Sequence, residues 1–196
     1  MTKSNLYRFL RPILTFLMKL IFKPKIIGKE NIPKNGSMVL AGNHTNILDP
    51  VLLLSSTKRT VHFLAKIELV EGPLGFGFKH MGIIPVNRRI KDKSVMPAAE
   101  EGLKAGKIIG VFPEGTINRT DDITMPFKTG AVRMAYGTNT KIIPFAITGK
   151  YHIFKGPVII FGKPYKVGED ITKENEKLKE NVIKLIKEGS NYGKNK

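Results

Sequence analysis

The apolar run Met38-Val39-Leu40-Ala41-Gly42 stops at a polar stretch, Asn43-His44-Thr45-Asn46-Ile47-Leu48-Asp49-Pro50. An apolar helical face, Leu48 with Val51 to Leu54, begins at once. A short apolar run bounded by turn residues reads as a buried strand, and the spacing after it reads as a helix. A buried strand feeding directly into a helix commits the chain to an α/β fold. The same signal recurs. Residues 25–28, 61–65, 82–86, 107–112, 141–147 and 158–161 read as further strands. Residues 92–105, 127–136 and 172–187 read as helices, the last with Leu178, Val182, Leu185 and Ile186 on one face. Residues 189–196 are expected to fray. The expectation is a single α/β domain: a mixed sheet flanked by helices, with a site at strand ends.

Within the polar stretch, Asn46 is expected to cap the helix, and Asp49 falls three residues later in the first turn, where negative charge is favoured. His44 then sits in the strand-to-helix turn, with Asp49 able to reach back to it. A histidine held by a carboxylate keeps one tautomer and presents its other nitrogen as a general base. The plainer alternative, for this motif alone, is that Asp49 caps a helix and His44 fills a turn.

Charge narrows the partners. Lys plus Arg exceed Asp plus Glu by 33 − 16 = 17, a bias towards an anionic partner. Nucleic acid, an acidic membrane surface, a phosphorylated substrate and an acidic carrier protein all qualify. Cysteine is absent, so neither a disulfide framework nor a cysteine-based metal site is available. Nucleic-acid binding predicts cations interleaved with aromatics or a recognition helix. Here the aromatics lie in apolar runs and the arginines close strands, which disfavours it.

Residues 5–22 are rich in Leu, Ile and Phe, with Arg8, Arg11, Thr15 and Lys19 at helical spacing on one polar stripe. Such a helix reaches ~27 Å, close to a membrane span. A cation well inside it, Arg11, costs ~2.5–3.5 kcal/mol on the insertion scale, so lying in the interface fits better than crossing. No small-residue cleavage site follows, which speaks against a signal peptide. Seven Lys or Arg against one Glu in residues 1–30 would add attraction to anionic lipid. The alternative is an amphipathic helix packed on the body of the protein.

Further along, the glycine-rich residues 72–82 match neither a dinucleotide fingerprint nor a phosphate loop, and read as a compact helix-turn region. His62, His80 and His152 are assigned structural or surface roles. The strand at 82–86 leads to Arg88 and Arg89, planar donors suited to a phosphate. The strand at 107–112 runs into Pro113-Glu114-Gly115-Thr116, with Arg119 beyond, a construction suited to a site at a strand end. Gly115 permits close approach of a ligand to the backbone.

Taken together, these residues resemble the glycerolipid acyltransferase family, most closely its bacterial 1-acyl-glycerol-3-phosphate branch. Asn43-His44 through Asp49 matches the family's first block, residues 82–89 the second, Phe112-Pro113-Glu114-Gly115-Thr116 the third, and Ile143-Pro144-Phe145 the fourth. The family often has Ser where Asn46 stands and a basic residue where Ile117 stands, which shifts phosphate binding towards Arg88 and Arg119. The resemblance implies His44 as base and Asp49 as its orienting carboxylate. It implies Glu114 and Gly115 shaping the acceptor site, and Lys66, Arg88 and Arg119 taking the phosphate. It implies transfer of an acyl group from acyl carrier protein or coenzyme A, as co-substrate, to the sn-2 hydroxyl of lysophosphatidic acid. No other cofactor and no metal are expected, and no covalent enzyme intermediate is needed. Related enzymes acylate glycerol-3-phosphate or other lysolipids from similar blocks, and a hydrolase could use the same histidine. The implied organisation is a membrane-associating segment at 1–30 and an acyltransferase domain at 31–190, held peripherally on the cytoplasmic face of the cell membrane.

Overall fold

The computed structural model describes residues 5–71, 83–87 and 94–194. The chain begins with a long helix, α1 (Asn5–Phe22), followed by strand β1 (Lys25–Ile27) and a short 3-10 turn. β2 (Met38–Gly42) leads into α2 (Asp49–Ser55), and β3 (Val61–Lys66) into α3 (Ile67–Glu71). β4 (Ile84–Val86), α4 (Val95–Lys104) and β5 (Ile108–Val111) follow. The chain then forms α5 (Gly130–Gly137), β6 (Ile142–Thr148), β7 (Val158–Phe161) and α6 (Ile171–Lys194).

The described strands form one sheet in the order β1-β7-β6-β2-β5-β3-β4. β6, β2, β5, β3 and β4 run parallel, β7 is antiparallel to β6, and β1 is parallel to β7. The sheet is therefore mixed, as expected. All five parallel strands end at one edge, which β7 leaves and where β1 begins. In open α/β sheets that edge is where ligands bind.

Strand alternation divides the core between the two faces of the sheet. Met38 and Leu40 of β2 point to the face covered by α1 and α2, with Leu52, Leu53, Phe145 and Phe161. Val39 and Ala41 point to the other face, against α4, α5 and α6 through Leu103, Val132, Met134 and Leu178. Gly42 closes β2 because nothing larger fits: a Cβ there would lie 2.3 Å from the Phe145 carbonyl oxygen and 2.5 Å from its ring.

α1 forms over residues 5–22 as its periodicity predicts, but its polar stripe is divided. Tyr7 and Met18 are buried, Leu14 and Phe22 pack on the same cluster, and Tyr7 Oη accepts the Val61 N–H at 3.1 Å. Arg8 and Lys19 are exposed, whereas Arg11 turns inward and its guanidinium donates to the Thr57 carbonyl. Thr57 follows the end of α2, where unpaired carbonyls attract a cation. The grouping of Arg11 with outward-facing cations is thereby corrected. Besides Arg8 and Lys19, α1 exposes a broad apolar face: Phe9 (67%) and Phe16 (63%), with Ile13, Leu17, Leu20 and Ile21. No described helix is long and apolar enough to cross a membrane.

Other boundaries shift for local reasons. Residues 127–129 stay out of α5 because Lys128 N–H donates to Pro113 O and the Asn175 side chain holds Phe127 O. α6 begins behind Asp170, which accepts the Lys173 N–H, and continues past the expected fraying point to Lys194. Gly189 lets it lie flush on the sheet; a Cβ there would meet Thr148 Oγ1 at 2.7 Å. The glycine-rich stretch with His80 lies outside the described residues, as do Arg88 and Arg89.

Candidate active site

The site is assembled where β2, β5 and β6 end. Beyond Gly42, the buried side chain of Asn43 acts as one more rung between β2 and β6. Its amide donates to Ile147 O at 2.9 Å, and its carbonyl accepts Ile147 N–H at 2.8 Å. This fixes the backbone one residue before His44. The His44 main chain is then held on both sides by the loop after β5. Its N–H donates to Glu114 Oε1 at 2.7 Å, and its carbonyl accepts Asn118 N–H at 2.8 Å.

The imidazole stacks on Phe112, with ring centroids 4.2 Å apart and planes 21° from parallel. Its Nδ1 lies 3.0 Å from Asp49 Oδ2. Asp49 is completely buried, so its charge depends on the donors around it. Oδ2 also accepts the backbone N–H of Thr45 at 2.6 Å and of Asn46 at 2.8 Å. Oδ1 accepts the hydroxyl of Tyr151 at 2.7 Å. A carboxylate so occupied is acceptor-only, which puts the imidazole proton on Nδ1 and leaves the Nε2 lone pair free to take one.

Asn46 does not cap α2. Its Oδ1 accepts the Leu48 N–H at 3.0 Å in a local turn, and Leu48 holds the capping position without a side-chain bond. Asp49 is itself the first residue of α2 and reaches back to the preceding amides. Turn-forming Asn and cap-forming Asn compete for nearby N–H groups, and here the turn wins.

Glu114, 3% exposed, spends both oxygens on backbone: one on His44 N–H, the other on Met125 N–H at 2.8 Å. Burial pushes its carboxyl above the ordinary range, and the two amides draw it partly back. It shapes the site by tying the histidine turn to the loop after β5. Gly115 adopts φ +77°, and a Cβ there would sit 2.8 Å from Lys128 Nζ. The glycine thus leaves room for an ammonium over the loop. Arg119 is exposed and follows the Asn118 contact with His44 directly. Lys66 ends β3 at the same edge, paired with Val86 of β4.

Three contributors were not read from the sequence. Lys128 and Phe112 stand in or near a recognised block. Tyr151 lies 102 residues from Asp49, and only the β2–β6 pairing brings them together. Burial and the Asp49 charge push the Tyr151 phenol up, so it remains a donor.

A histidine paired with a buried carboxylate, at the C-terminal ends of parallel strands and with exposed cations on the neighbouring loop, is an arrangement that can activate a hydroxyl. The chain belongs to the acyltransferase family, whose model matches residues 23–148. It is 35% identical to the 1-acyl-sn-glycerol-3-phosphate acyltransferase of Borreliella burgdorferi, over 83% of this chain and 68% of that protein. It is 30% identical to the protein of the same name from Bacillus subtilis, over 81% and 82% respectively. The crystal structure of the 1-acyl-sn-glycerophosphate (LPA) acyltransferase PlsC from Thermotoga maritima shares the fold, with a TM-score of 0.74 at 21% identity, over 93% of this chain and 81% of that one.

Proposed function

We propose that this enzyme transfers an acyl group from a thioester to the sn-2 hydroxyl of 1-acyl-sn-glycerol-3-phosphate, forming phosphatidic acid. The observation that carries the reading is the His44–Asp49 pair, 3.0 Å apart, with the carboxylate fully buried and, among the described residues, no hydrogen-bond partner on Nε2. Relatives that bear this activity in their names support the choice of acceptor. In the reaction, Nε2 takes the hydroxyl proton as the oxygen attacks the thioester carbonyl. Asp49 stabilises the imidazolium that forms, and Phe112, stacked beneath the ring, adds cation–π attraction. Collapse of the tetrahedral adduct breaks the C–S bond, and the departing thiolate recovers the proton. A base so placed contributes ~10²–10⁴-fold. Arg119, Lys128, Lys66 and Arg88 are assigned to the acceptor phosphate; either acyl carrier protein or coenzyme A would serve as donor.

The apolar outer face of α1 is assigned to the membrane interface, on the cytoplasmic side, because the acceptor and product are lipids. Phe9, Phe16, Leu20 and Ile21 form the inserting face, whereas Leu14 packs on the core. Incubation with lysophosphatidate or glycerol-3-phosphate, and with each donor thioester, tests the activity. Phosphatidate formed from lysophosphatidate is the expected product. Acylation of glycerol-3-phosphate alone, or release of free fatty acid, would overturn the assignment.

A further inference from the structure

The connection from β6 to β7 ends in a tight turn, with His152 and Lys155 bridged across it and Ile153 and Phe154 at its corner. Turn corners favour Gly, Asn and Asp because they tolerate positive φ. Here Phe154 takes φ +61°, a conformation bulky residues rarely hold. Both corner side chains project outward, Ile153 68% and Phe154 61% exposed. A strained backbone that presents two large apolar groups to the outside is an observation that asks for a function.

The turn is locked to the end of α1. Phe154 N–H donates to Ile21 O at 2.7 Å, and the Lys23 ammonium lies 4.8 Å from the centre of the Phe154 ring. Gly156 passes so close to Phe22 that a Cβ would be 2.3 Å from its carbonyl oxygen. The apolar tip therefore continues the exposed face of Phe16, Leu20 and Ile21. Directly beside it is a cleft of about 310 Å³ lined by Lys25, Lys150, His152, Lys155, Ser190 and Tyr192, among others, with no carboxylate in its lining. β1 begins and β6 ends here, so cleft and tip share the edge of the sheet that carries His44.

We propose that this turn and cleft form a second lipid-contact element, resting on the membrane reading of α1. Ile153 and Phe154 enter the acyl boundary of an anionic bilayer, while Lys25, Lys150 and Lys155 hold its headgroup phosphates. The charge is complementary, and the apolar tip fixes the depth at which the lysines meet the phosphate layer.

Binding to phosphatidylglycerol–phosphatidylcholine vesicles and to pure phosphatidylcholine vesicles tests it, by flotation. Three variants of the full chain are compared: the tip, Ile153→Ser with Phe154→Asn; the cleft, Lys25→Gln, Lys150→Gln and Lys155→Gln; and the helix, Phe9→Ser, Phe16→Ser and Leu20→Ser. Asn tolerates the left-handed backbone, so the tip variant should keep the parent Tm. It should bind about tenfold more weakly to anionic vesicles at every salt concentration, from lost apolar burial. The cleft variant should lose about tenfold or more on anionic vesicles at low salt only. Both should keep the parent kcat/KM on a short-chain lysophosphatidate dispersed as monomers. If tip and cleft variants bind like the parent while the helix variant is weakened, α1 alone contacts lipid and this proposal falls. If all three bind like the parent, the membrane reading falls with it. Release of the parent from vesicles by inorganic phosphate, but not by chloride of equal ionic strength, would mark the cleft as a site for free phosphate and overturn the lipid assignment.

Discussion

The two sides of the strand-end edge are built differently. On the β2–β6 side, the oxygens of the fully buried Asp49 receive hydrogen bonds from His44, Thr45, Asn46 and Tyr151. On the facing loop after β5, Arg119 and Lys128 are exposed, and among the described residues neither has a carboxylate partner. Proton transfer needs reacting atoms held to within about 0.5 Å, and burial with satisfied hydrogen bonds supplies that. A dianionic phosphate is held by charge over a longer range, so flexible cations in contact with water suffice. On the proposed reading, the edge has a rigid half for chemistry and an adaptable half for gathering substrate.

The contrast predicts graded losses, largest on the rigid half. His44→Ala removes the base and should lower kcat by about 10³-fold, within the ~10²–10⁴ range for such groups, with little change in Tm. Near-parent turnover of the purified variant would remove His44 from the mechanism. Asp49→Asn should cost about 10²-fold in kcat, because a neutral amide cannot stabilise the imidazolium. It should cost less in stability than in rate. The Asn carbonyl can still accept the N–H groups that Oδ2 receives, and its NH₂ can donate to the Tyr151 hydroxyl, which accepts as well as donates.

Tyr151→Phe is a subtler probe of the same half, since it keeps the ring packed against Phe22 and removes only the hydroxyl that donates to Asp49. Its loss should lower kcat by about 10-fold, the lower end of what one hydrogen bond to a charged group is worth. The split between rate and stability is the sharper readout. A loss of kcat at the parent Tm marks the hydroxyl as a positioning group for Asp49; a merely structural role for Tyr151 would lower Tm and leave kcat of the folded enzyme in place.

How much of this was legible depended on how local the cause was. The His44–Asp49 pair spans five residues, and both strand and helix around it carry their own periodic signals. The mixed sheet followed from the same runs. Tyr151 left no trace, because its role arises only when β6 pairs with β2. The two terminal helices show another limit. Both are amphipathic, yet α6 buries Leu178 and Val182 and leaves its charges in water, while α1 buries Arg11 partway and leaves Phe9 and Phe16 outside. Periodicity says that a helix has two faces. Which one turns inward depended on partners such as Thr57 O, which the local sequence does not reveal.

The smallest effect is expected on the adaptable half. Arg119→Gln and Lys128→Gln each remove one of several cations near the edge, and the remaining ones can shift to compensate. Each should raise the KM for lysophosphatidate about 3–5-fold, roughly the worth of one exposed charge pair. kcat should hold unless the phosphate also sets the angle of the hydroxyl. The KM for the acyl donor should change less. Raising salt should erase the difference between parent and variant, because screening shortens the reach of exposed charges from ~10 Å at 0.1 M to ~3 Å at 1 M. Losses that survive high salt, or that fall equally on donor and acceptor, would mean these cations are built into the site as firmly as Asp49. The division of the edge into a rigid and an adaptable half would then fail.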